Sequence, residues 1–499
     1  MTTLSKILFC KIALYCAEFN MRFFYFIINP MYGGFMLTEE CVVKSWKQWL
    51  LCFVTAGFVT FLFYNPENMK LNLYWFSSVL ALSLFAFELV SMVVAILTLL
   101  MFYVISGIST PDVVFSGWLA PIPWIVLSGM LIGVLMEKSN LAQRIALLIL
   151  SNVAKTPLRL LIAFFLAGVV ISALIPDIIT VLILFMTIAT SICQSLHLEK
   201  GSKEASTIIM GTFFGGAISS AMYLPNNTGI IGLLMVKDMG VEFSWIGFWI
   251  ENATYCIVHI IIGIALLYFF GNKALYPHIQ KCVLEAKSEL DKLGKMSSLE
   301  KRALVLSLLA LAGFVFEPLH HLPGYYLFAF IVFLGFTPLF NVFECSDIEK
   351  VNFSILFFIV GCMAIGFVAG TLGIPAWLSS KIVPVLQSIE NSALANLFAY
   401  FVGVIANFLL TPVAAATSLS VPMAQIAIDL GMTIKPTLYS FLYGLDQFIL
   451  PYELAPALLM FSTGYVKLRH VIIIMGLRLL LVTIGILISS YIVWPMLGI

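Results

Sequence analysis

The sequence predicts an all-α polytopic membrane protein with about 11 transmembrane helices and two re-entrant hairpins. Hydrophobic residues make up 62% of its 499 residues and charged residues only 10%, whereas soluble domains carry about 25% charged residues. Several apolar runs are also too long for one membrane crossing and too short for two. Most of the chain is therefore expected inside a bilayer, with no room for a separate soluble catalytic domain.

Breaks inside the long apolar runs predict the two hairpins. The runs over residues 158–193 and 393–428 each contain a polar or proline break near the middle, and the runs 205–236 and 436–464 are interrupted by glycine or proline. Non-helical backbone at membrane depth is tolerated only inside protein or beside a water-filled cavity. The breaks therefore predict a binding site near the middle of the membrane.

One long polar stretch, residues 272–302, divides the chain near its middle. Its Glu/Lys-rich helical spacing predicts a cytoplasmic linker helix. Residues 1–70 are expected to form a lead-in and the first transmembrane helix, and residues 71–271 and 303–499 two repeats. Placing the linker inside leaves few lysines outside, so the positive-inside rule favours a cytoplasmic N-terminus in a multi-pass protein of the cell (inner) membrane.

The two halves align when one is shifted by about 231 to 236 residues, as expected of an internal repeat. The aligned positions are Gly133 with Gly366, the Pro176 break near Pro412, and Pro225 with Pro456. An odd number of crossings separates the copies, so they are expected to have opposite orientations. An inverted repeat with a broken hairpin and a broken helix in each half is typical of a secondary transporter.

The candidate binding residues lie at the breaks, where unwound backbone can hold an anion and a small cation. The alternative is that glycine and proline merely kink packed helices, but four breaks in repeat-related positions favour a shared cavity. The candidates are Ser172, Asp177, Thr180, Gly215, Gly216, Ser219, Pro225, Asn226, Thr411, Pro412, Pro451, Glu453 and Pro456.

Acidic residues inside apolar runs are candidate cation or proton sites. An uncompensated charge at the bilayer centre costs at least about 2.5 to 3.5 kcal/mol, so Asp177, Asp446 and Glu453 should face a cavity or a counter-ion. Asp177 is the candidate sodium ligand, with the alternative that it caps the following helix. The other two acids could instead reach the surface or pair with Arg478, and His259 is expected to be a packing residue.

Several segments resemble those of a known family. They are LIGVLMEKSNLAQRIALLIL (131–150), SALIPDIITVLIL (172–184), FGGAISSAMYLPNNTGI (214–230), NFLLTPVAAATSLSVP (407–422) and ILPYELAPALLMFSTG (449–464). In these segments the chain resembles the divalent anion/sodium symporter family. That family lies within the ion-transporter superfamily, which includes arsenite permeases and sodium/proton antiporters.

The resemblance implies a scaffold domain, a transport domain with elevator-like movement, and a homodimer formed through the scaffold. Each hairpin tip of that family reads Ser-Asn-Thr and binds sodium and the substrate carboxylate. This chain departs there, with Pro176-Asp177-Ile178 at the first tip, Thr411-Pro412-Val413 at the second, and Ala457 in place of the last asparagine. The matching functional positions are Ser172, Gly215, Gly216, Ser219, Pro225, Asn226 and, more weakly, Thr411.

The leading functional hypothesis is a secondary active transporter of a small anion, such as a di- or tricarboxylate, sulfate or related oxyanion, coupled to sodium or protons. A cation/proton antiporter is the alternative, because the intramembrane acids add negative charge where an anion carrier would favour neutral donors. The expected partners are the solute and the lipid bilayer, with no cofactor beyond a coupling sodium ion. A net charge of +1 argues against nucleic acid, and the absence of a metal or triad motif argues against an enzyme.

Overall fold

The computed structural model describes residues 46–86, 89–175, 177–224, 229–386, 391–449 and 455–499. Every regular element in these ranges is a helix, as the sequence predicts. The helices of the first half are α1 (Trp46–Leu62), α2 (Met69–Ala86), α3 (Met92–Ile105), α4 (Pro121–Ser139), α5 (Leu141–Val153), α6 (Pro157–Leu174), α7 (Ile178–Ser195), α8 (Lys203–Ser220), α9 (Gly229–Met235) and α10 (Trp245–Leu275).

The linker helix is α11 (Ile279–Leu293). The helices of the second half are α12 (Ser298–Val315), α13 (Gly324–Leu334), α14 (Phe353–Thr371), α15 (Ile374–Leu386), α16 (Ser392–Leu409), α17 (Pro412–Asp429), α18 (Ile434–Leu445), α19 (Ala455–Ser462) and α20 (Leu468–Leu481), after which the chain stays helical to Met496. From α13 onward these helices follow the same order of long and short helices as the first half does from α3. The inverted relation of the halves, the exact number of crossings and the elevator movement stay predictions.

Several helices have the length and apolarity needed to cross a membrane. Among the described residues these helical stretches are Pro121–Ser139, Pro157–Leu174, Ile178–Ser195, Trp245–Leu293, Phe353–Thr371 and Leu468–Met496. Many apolar side chains on them point outward, including Phe269, Ile261 and Leu480. A helix that exposes apolar side chains all along one face needs a lipid environment rather than water, so the chain is a multi-pass integral membrane protein.

Close helix crossings in both halves hold the hairpins against the broken helices. In the first half α6 crosses α8, and Gly168 lies directly on the backbone carbonyl of Gly215. In the second half α16 crosses α18, and Gly403 and Gly444 lie on carbonyls of the opposite helix. Small residues let membrane helices approach closely and so gain dispersion contacts.

The linker is helical but not fully solvated. α10 continues through Tyr276–His278 into α11, which packs on α5 and buries Ile279, Cys282 and Ala286. The linker was expected to be a solvated helix, but one face of α11 is covered. α12 then begins with a capping box in which Ser297 and Glu300 satisfy each other's backbone NH groups, the arrangement that fixes a helix start.

Candidate functional site

The tip of the first hairpin is a short turn between α6 and α7, and Asp177 caps α7. Its carboxylate accepts the backbone NH of Ile179 at 3.3 Å and that of Thr180 at 3.1 Å, and it also accepts the Thr180 hydroxyl. A carboxylate offers about four lone-pair sites, and three donors already occupy three of them. The contacts therefore favour the capping interpretation of Asp177 over the sodium-ligand interpretation.

The second hairpin tip has the same design with a different side chain. Thr411 caps α17 by accepting the backbone NH of Ala414 at 3.3 Å, and Pro412 occupies the first helical position. Proline suits that position because its missing NH has no helical partner there. The two tips thus differ in charge, since a carboxylate caps the first and a neutral hydroxyl caps the second.

Glycines in two corresponding helices receive the hairpin tips. Gly133 of α4 leaves room for the Thr180 hydroxyl, which would lie 2.5 Å from a Cβ at that position. Gly366 of α14 lies against the backbone carbonyl of Thr417 in α17. These glycines are the pair that the sequence repeat aligns, and both sit where the second helix of a hairpin packs.

Gly215, Gly216 and Ser219 do not lie in a loop, which corrects the expectation from the sequence. All three are inside α8, which ends at Ser220, and Ser172 likewise lies in the last turn of α6. Gly215 permits the crossing with α6, since a Cβ there would lie 2.7 Å from the carbonyl carbon of Phe164. The Ser219 hydroxyl donates to the carbonyl of Phe165 at 3.1 Å. These residues therefore serve helix packing. From the sequence alone, a Gly-Gly pair that permits packing cannot be told from one that unwinds a helix.

Several predicted site residues fall outside what the structure describes. Pro225 and Asn226 of the first break, Pro451 and Glu453 of the second, and Pro176 of the first tip are among them. Pro456 lies in α19, but its side chain is not described. The convergence of all four breaks on one cavity therefore stays a prediction.

Two amide side chains at the second break were missed by the sequence reasoning. Asn407, near the end of α16, donates from its Nδ2 to the backbone carbonyl of Gln447 at 2.8 Å. Gln447 follows the end of α18 and donates to the carbonyl of Tyr443 at 3.1 Å. Both amides are almost fully buried. A buried asparagine in an apolar helix beside a hairpin tip is the signal that could have identified this pair.

The carbonyl oxygens of these two amides point to a ligand. Asn407 Oδ1 and Gln447 Oε1 are buried and have no hydrogen-bond partner among the described residues. An unsatisfied buried acceptor costs about 1 to 3 kcal/mol, so such oxygens are normally occupied. Amide and backbone carbonyl oxygens are ligands for hard cations. The second break therefore has the chemistry of a cation site.

A buried arginine stabilises the same break. Arg478 of α20 is 1% exposed, and its guanidinium lies 4.6 Å from the ring centroid of Phe448 and 5.5 Å from that of Phe214. It also reaches the carbonyl of Phe448 at 3.5 Å. Stacking on aromatic faces suits a guanidinium in an apolar environment, so Arg478 fixes the position of the break. His259 is also buried and packs edge-on against Tyr255.

No group of three or more His, Cys, Asp or Glu side chains that could hold a metal occurs in the described part of the chain. The oxygen ligands available at the hairpin tips and breaks are amides, hydroxyls and backbone carbonyls, with the Asp177 carboxylate at the first tip and the Asp446 carboxylate at the end of α18. Such hard oxygen ligands suit an alkali or alkaline-earth cation better than a transition-metal cofactor.

Comparison with known proteins agrees with this architecture. Residues 82–444 match the family described as "Citrate transporter" (CitMHS). The chain is similar in structure to the YdaH transporter of Alcanivorax borkumensis, with a TM-score of 0.52 and 13% sequence identity over 78% of this chain and 88% of that one. No curated protein matches the sequence. The similarity to the YdaH transporter shows the fold.

The matched region spans both hairpins and most of the chain. The transporter function class and the ion-transporter superfamily expected from the sequence motifs are confirmed, and an enzyme is excluded in favour of a permease. The finer assignment to the divalent anion/sodium symporter family stays a prediction. The chain belongs to the CitMHS citrate transporter family of membrane permeases.

Proposed function

We propose that the protein is a secondary active transporter of a di- or tricarboxylate such as citrate, driven by sodium or protons. The observation that supports this most directly is the family match over residues 82–444, which includes both capped hairpin tips and Asn407 of the amide pair. Backbone NH groups at the start of the helix that follows each tip can donate hydrogen bonds to a substrate carboxylate.

The coupling cation is proposed to bind at the second break. Asn407 Oδ1 and Gln447 Oε1 supply two acceptor oxygens without partners among the described residues. Asp177 is proposed to act as a helix cap, because its oxygens already accept three hydrogen bonds.

Uptake of labelled citrate into proteoliposomes tests the proposal. We expect accumulation above equilibrium when an inward sodium or proton gradient is imposed, with succinate and sulfate as competing solutes that rank the specificity. Removal of the gradient should abolish accumulation but not counterflow. Sodium-driven proton flux without any citrate uptake would instead support the cation/proton antiporter, the alternative function that the intramembrane acids suggest.

A matched pair of variants locates the cation. Asn407→Ala removes an acceptor oxygen and is expected to raise the concentration of driving cation needed for half-maximal uptake. Asn396→Ala is the control, because Asn396 lies on the same helix and is also buried, but its amide bonds to Thr437 and Ser490. An equal shift in both variants would count against a specific cation site at Asn407.

A further inference from the structure

A cleft runs along α7 beside the end of α19. It has a volume of about 490 Å³. Its lining combines the apolar side chains of Ile183 and Met186 with the hydroxyl and amide side chains of Thr187, Thr190, Ser191, Gln194, Ser462 and Thr463. The opposite face of α7 is apolar and buried, so the hydroxyl and amide groups of this helix lie toward the cleft.

Two loops meet at the linker end of this cleft and are joined by hydrogen bonds. The backbone NH of Gly201 donates to the carbonyl of Tyr465 at 3.1 Å, and the Ser206 hydroxyl contacts the same carbonyl at 3.4 Å. The His470 ring bonds the Ser206 hydroxyl at 2.9 Å. The loop after α7 and the loop before α20 therefore form one structure at the mouth of the cleft.

The lysine side chains of each loop lie across a glycine of the other. Lys467 packs over Gly201, where a Cβ would lie 2.8 Å from its side chain, and Lys200 lies over Gly464. Both glycines have positive φ, 74° and 71°, a conformation that other residues adopt at a cost. This arrangement places a lysine side chain of each loop against the backbone of the other loop.

Four exposed cations surround the mouth without carboxylate partners. Lys200, Lys203, Lys467 and Arg469 are exposed, and in the part of the chain that the structure describes none forms an ion pair within 4.0 Å. Two acids, Glu199 and Glu204, lie in the same segment and pair with none of them.

Other cations on the linker side differ in whether they have ion-pair partners. Lys138 pairs with Glu344 and Asp347, and Arg144 pairs with Glu300 at 2.7 Å, whereas Lys281, Lys287 and Lys295 have no ion-pair partner among the described residues. The general excess of lysine and arginine on the cytoplasmic side explains why cations occur on this face. What distinguishes the four cations at the cleft is their position, because their mutual repulsion there is unfavourable unless an anion comes near.

We propose that Lys200, Lys203, Lys467 and Arg469 form an entry site that attracts multiply charged carboxylates into the cleft along α7. The inference rests on the proposed anion transport and adds the route and the side from which the solute enters or leaves. Clefts lined by charge of one sign raise the local concentration of an oppositely charged solute and its association rate by about 10- to 1,000-fold, with strong dependence on ionic strength. The effect grows with solute charge, so citrate is attracted more strongly than a monocarboxylate.

The test compares two variants that each lose four positive charges on the same membrane side. The first replaces Lys200, Lys203, Lys467 and Arg469 with glutamine, and the control replaces Lys281, Lys287, Lys292 and Lys295 of the linker. Citrate uptake is measured from the linker side, in inverted membrane vesicles, and from the opposite side. We expect the first variant to raise KM about tenfold at low ionic strength from the linker side only, with kcat unchanged.

The control variant should keep the wild-type KM on both sides, and high salt should remove the difference between the first variant and the wild type. Both variants are checked for monodispersity and unchanged Tm before transport is measured. Wild-type protein that takes up no citrate would overturn the proposed function itself. Wild-type uptake with the same linker-side KM in the first variant would overturn the entry site alone. A KM shift seen only in vesicles that contain anionic lipid would also overturn it, because the cations would then bind headgroups.

Discussion

The two hairpins share their packing but differ in their chemistry. α6 and α16 each cross a broken helix through glycines that touch opposing carbonyls, and the first two turns of α7 and α17 pack on Gly133 and Gly366. The first tip, however, is capped by the carboxylate of Asp177, whereas the second is capped by a hydroxyl and lies beside two buried amide oxygens without partners among the described residues. Packing geometry is thus repeated between the halves, while the proposed cation chemistry is confined to one.

The halves also differ in what holds the short helix before each hairpin. In the first half, Arg144 of α5 pairs with Glu300 and donates to the carbonyls of Leu293 and Gly294, which ties α5 to the linker and to α12. In the second half, Ser379 of α15 donates to Asp429 of α17 at 2.6 Å. The first short helix is therefore fixed to the other half of the chain, and the second to its own hairpin.

The largest expected effect is loss of folding when a crossing glycine gains a side chain. Gly215→Val and Gly444→Val would place a Cβ 2.7 Å and 2.0 Å from backbone atoms of α6 and α16. Only separation of the helices relieves such a clash, so the cost should exceed both the about 1 to 3 kcal/mol of ordinary overpacking and the cost of every change described below. We expect little monodisperse protein in detergent for either variant. Gly476→Ala is the control, because nothing lies within 4 Å of a Cβ there. If Gly444→Val were as stable as the wild type, the crossing of α16 and α18 would not be close-packed.

The next largest effect is expected at the Arg144–Glu300 pair. Both side chains are mostly buried, and removal of one partner of a buried ion pair costs about 3 to 5 kcal/mol because the other charge is left uncompensated. Arg144→Gln should therefore lower Tm more than Ser379→Ala, which breaks a single hydrogen bond in the other half. Equal shifts in Tm would contradict the difference drawn between the two short helices.

A smaller effect is expected at the caps. Asp177→Ala and Thr411→Ala each remove a helix cap, which costs about 0.5 to 2 kcal/mol. Asp177→Asn retains an acceptor oxygen and should keep a Tm close to that of the wild type. The pH profile of citrate uptake should also stay unchanged in Asp177→Asn. If citrate uptake by Asp177→Asn depended less on pH than uptake by the wild type, Asp177 would be a coupling residue and not only a helix cap.

The smallest effect concerns acid stability at the segment before α14. Burial raises the pKa of the Asp347 carboxyl, but hydrogen bonds from Lys350, the Glu344 backbone and Lys138 outweigh it and lower the pKa to about 2. A lowered pKa stabilises the fold fully above the unfolded value of about 3.9 and loses that contribution as pH falls through the folded value. The Tm difference between the wild type and Asp347→Asn should stay constant from about pH 7 to 5 and shrink below about 3.9. A difference that grows in acid would contradict this.

The fold was accessible from sequence because its signals are local. Apolar run length and the polar or proline breaks inside the runs predict both hairpins, and the observed helix starts at Ile178 and Pro412 lie inside the predicted breaks. The prediction of a break at Gly215-Gly216 was wrong, because a glycine that permits a close helix crossing looks the same in sequence as one that unwinds a helix. Asn407 and Gln447 were missed because their importance depends on a contact between two distant segments.

The most direct test of the account asks which half holds the coupling cation. The measurement is the concentration of the driving cation that gives half-maximal citrate uptake, compared between Asn407→Ala and Asp177→Asn in proteoliposomes. The account predicts a clear increase for Asn407→Ala, because a buried acceptor oxygen is lost from the second break, and no change for Asp177→Asn, because a cap is retained. An increase for Asp177→Asn with none for Asn407→Ala would contradict it.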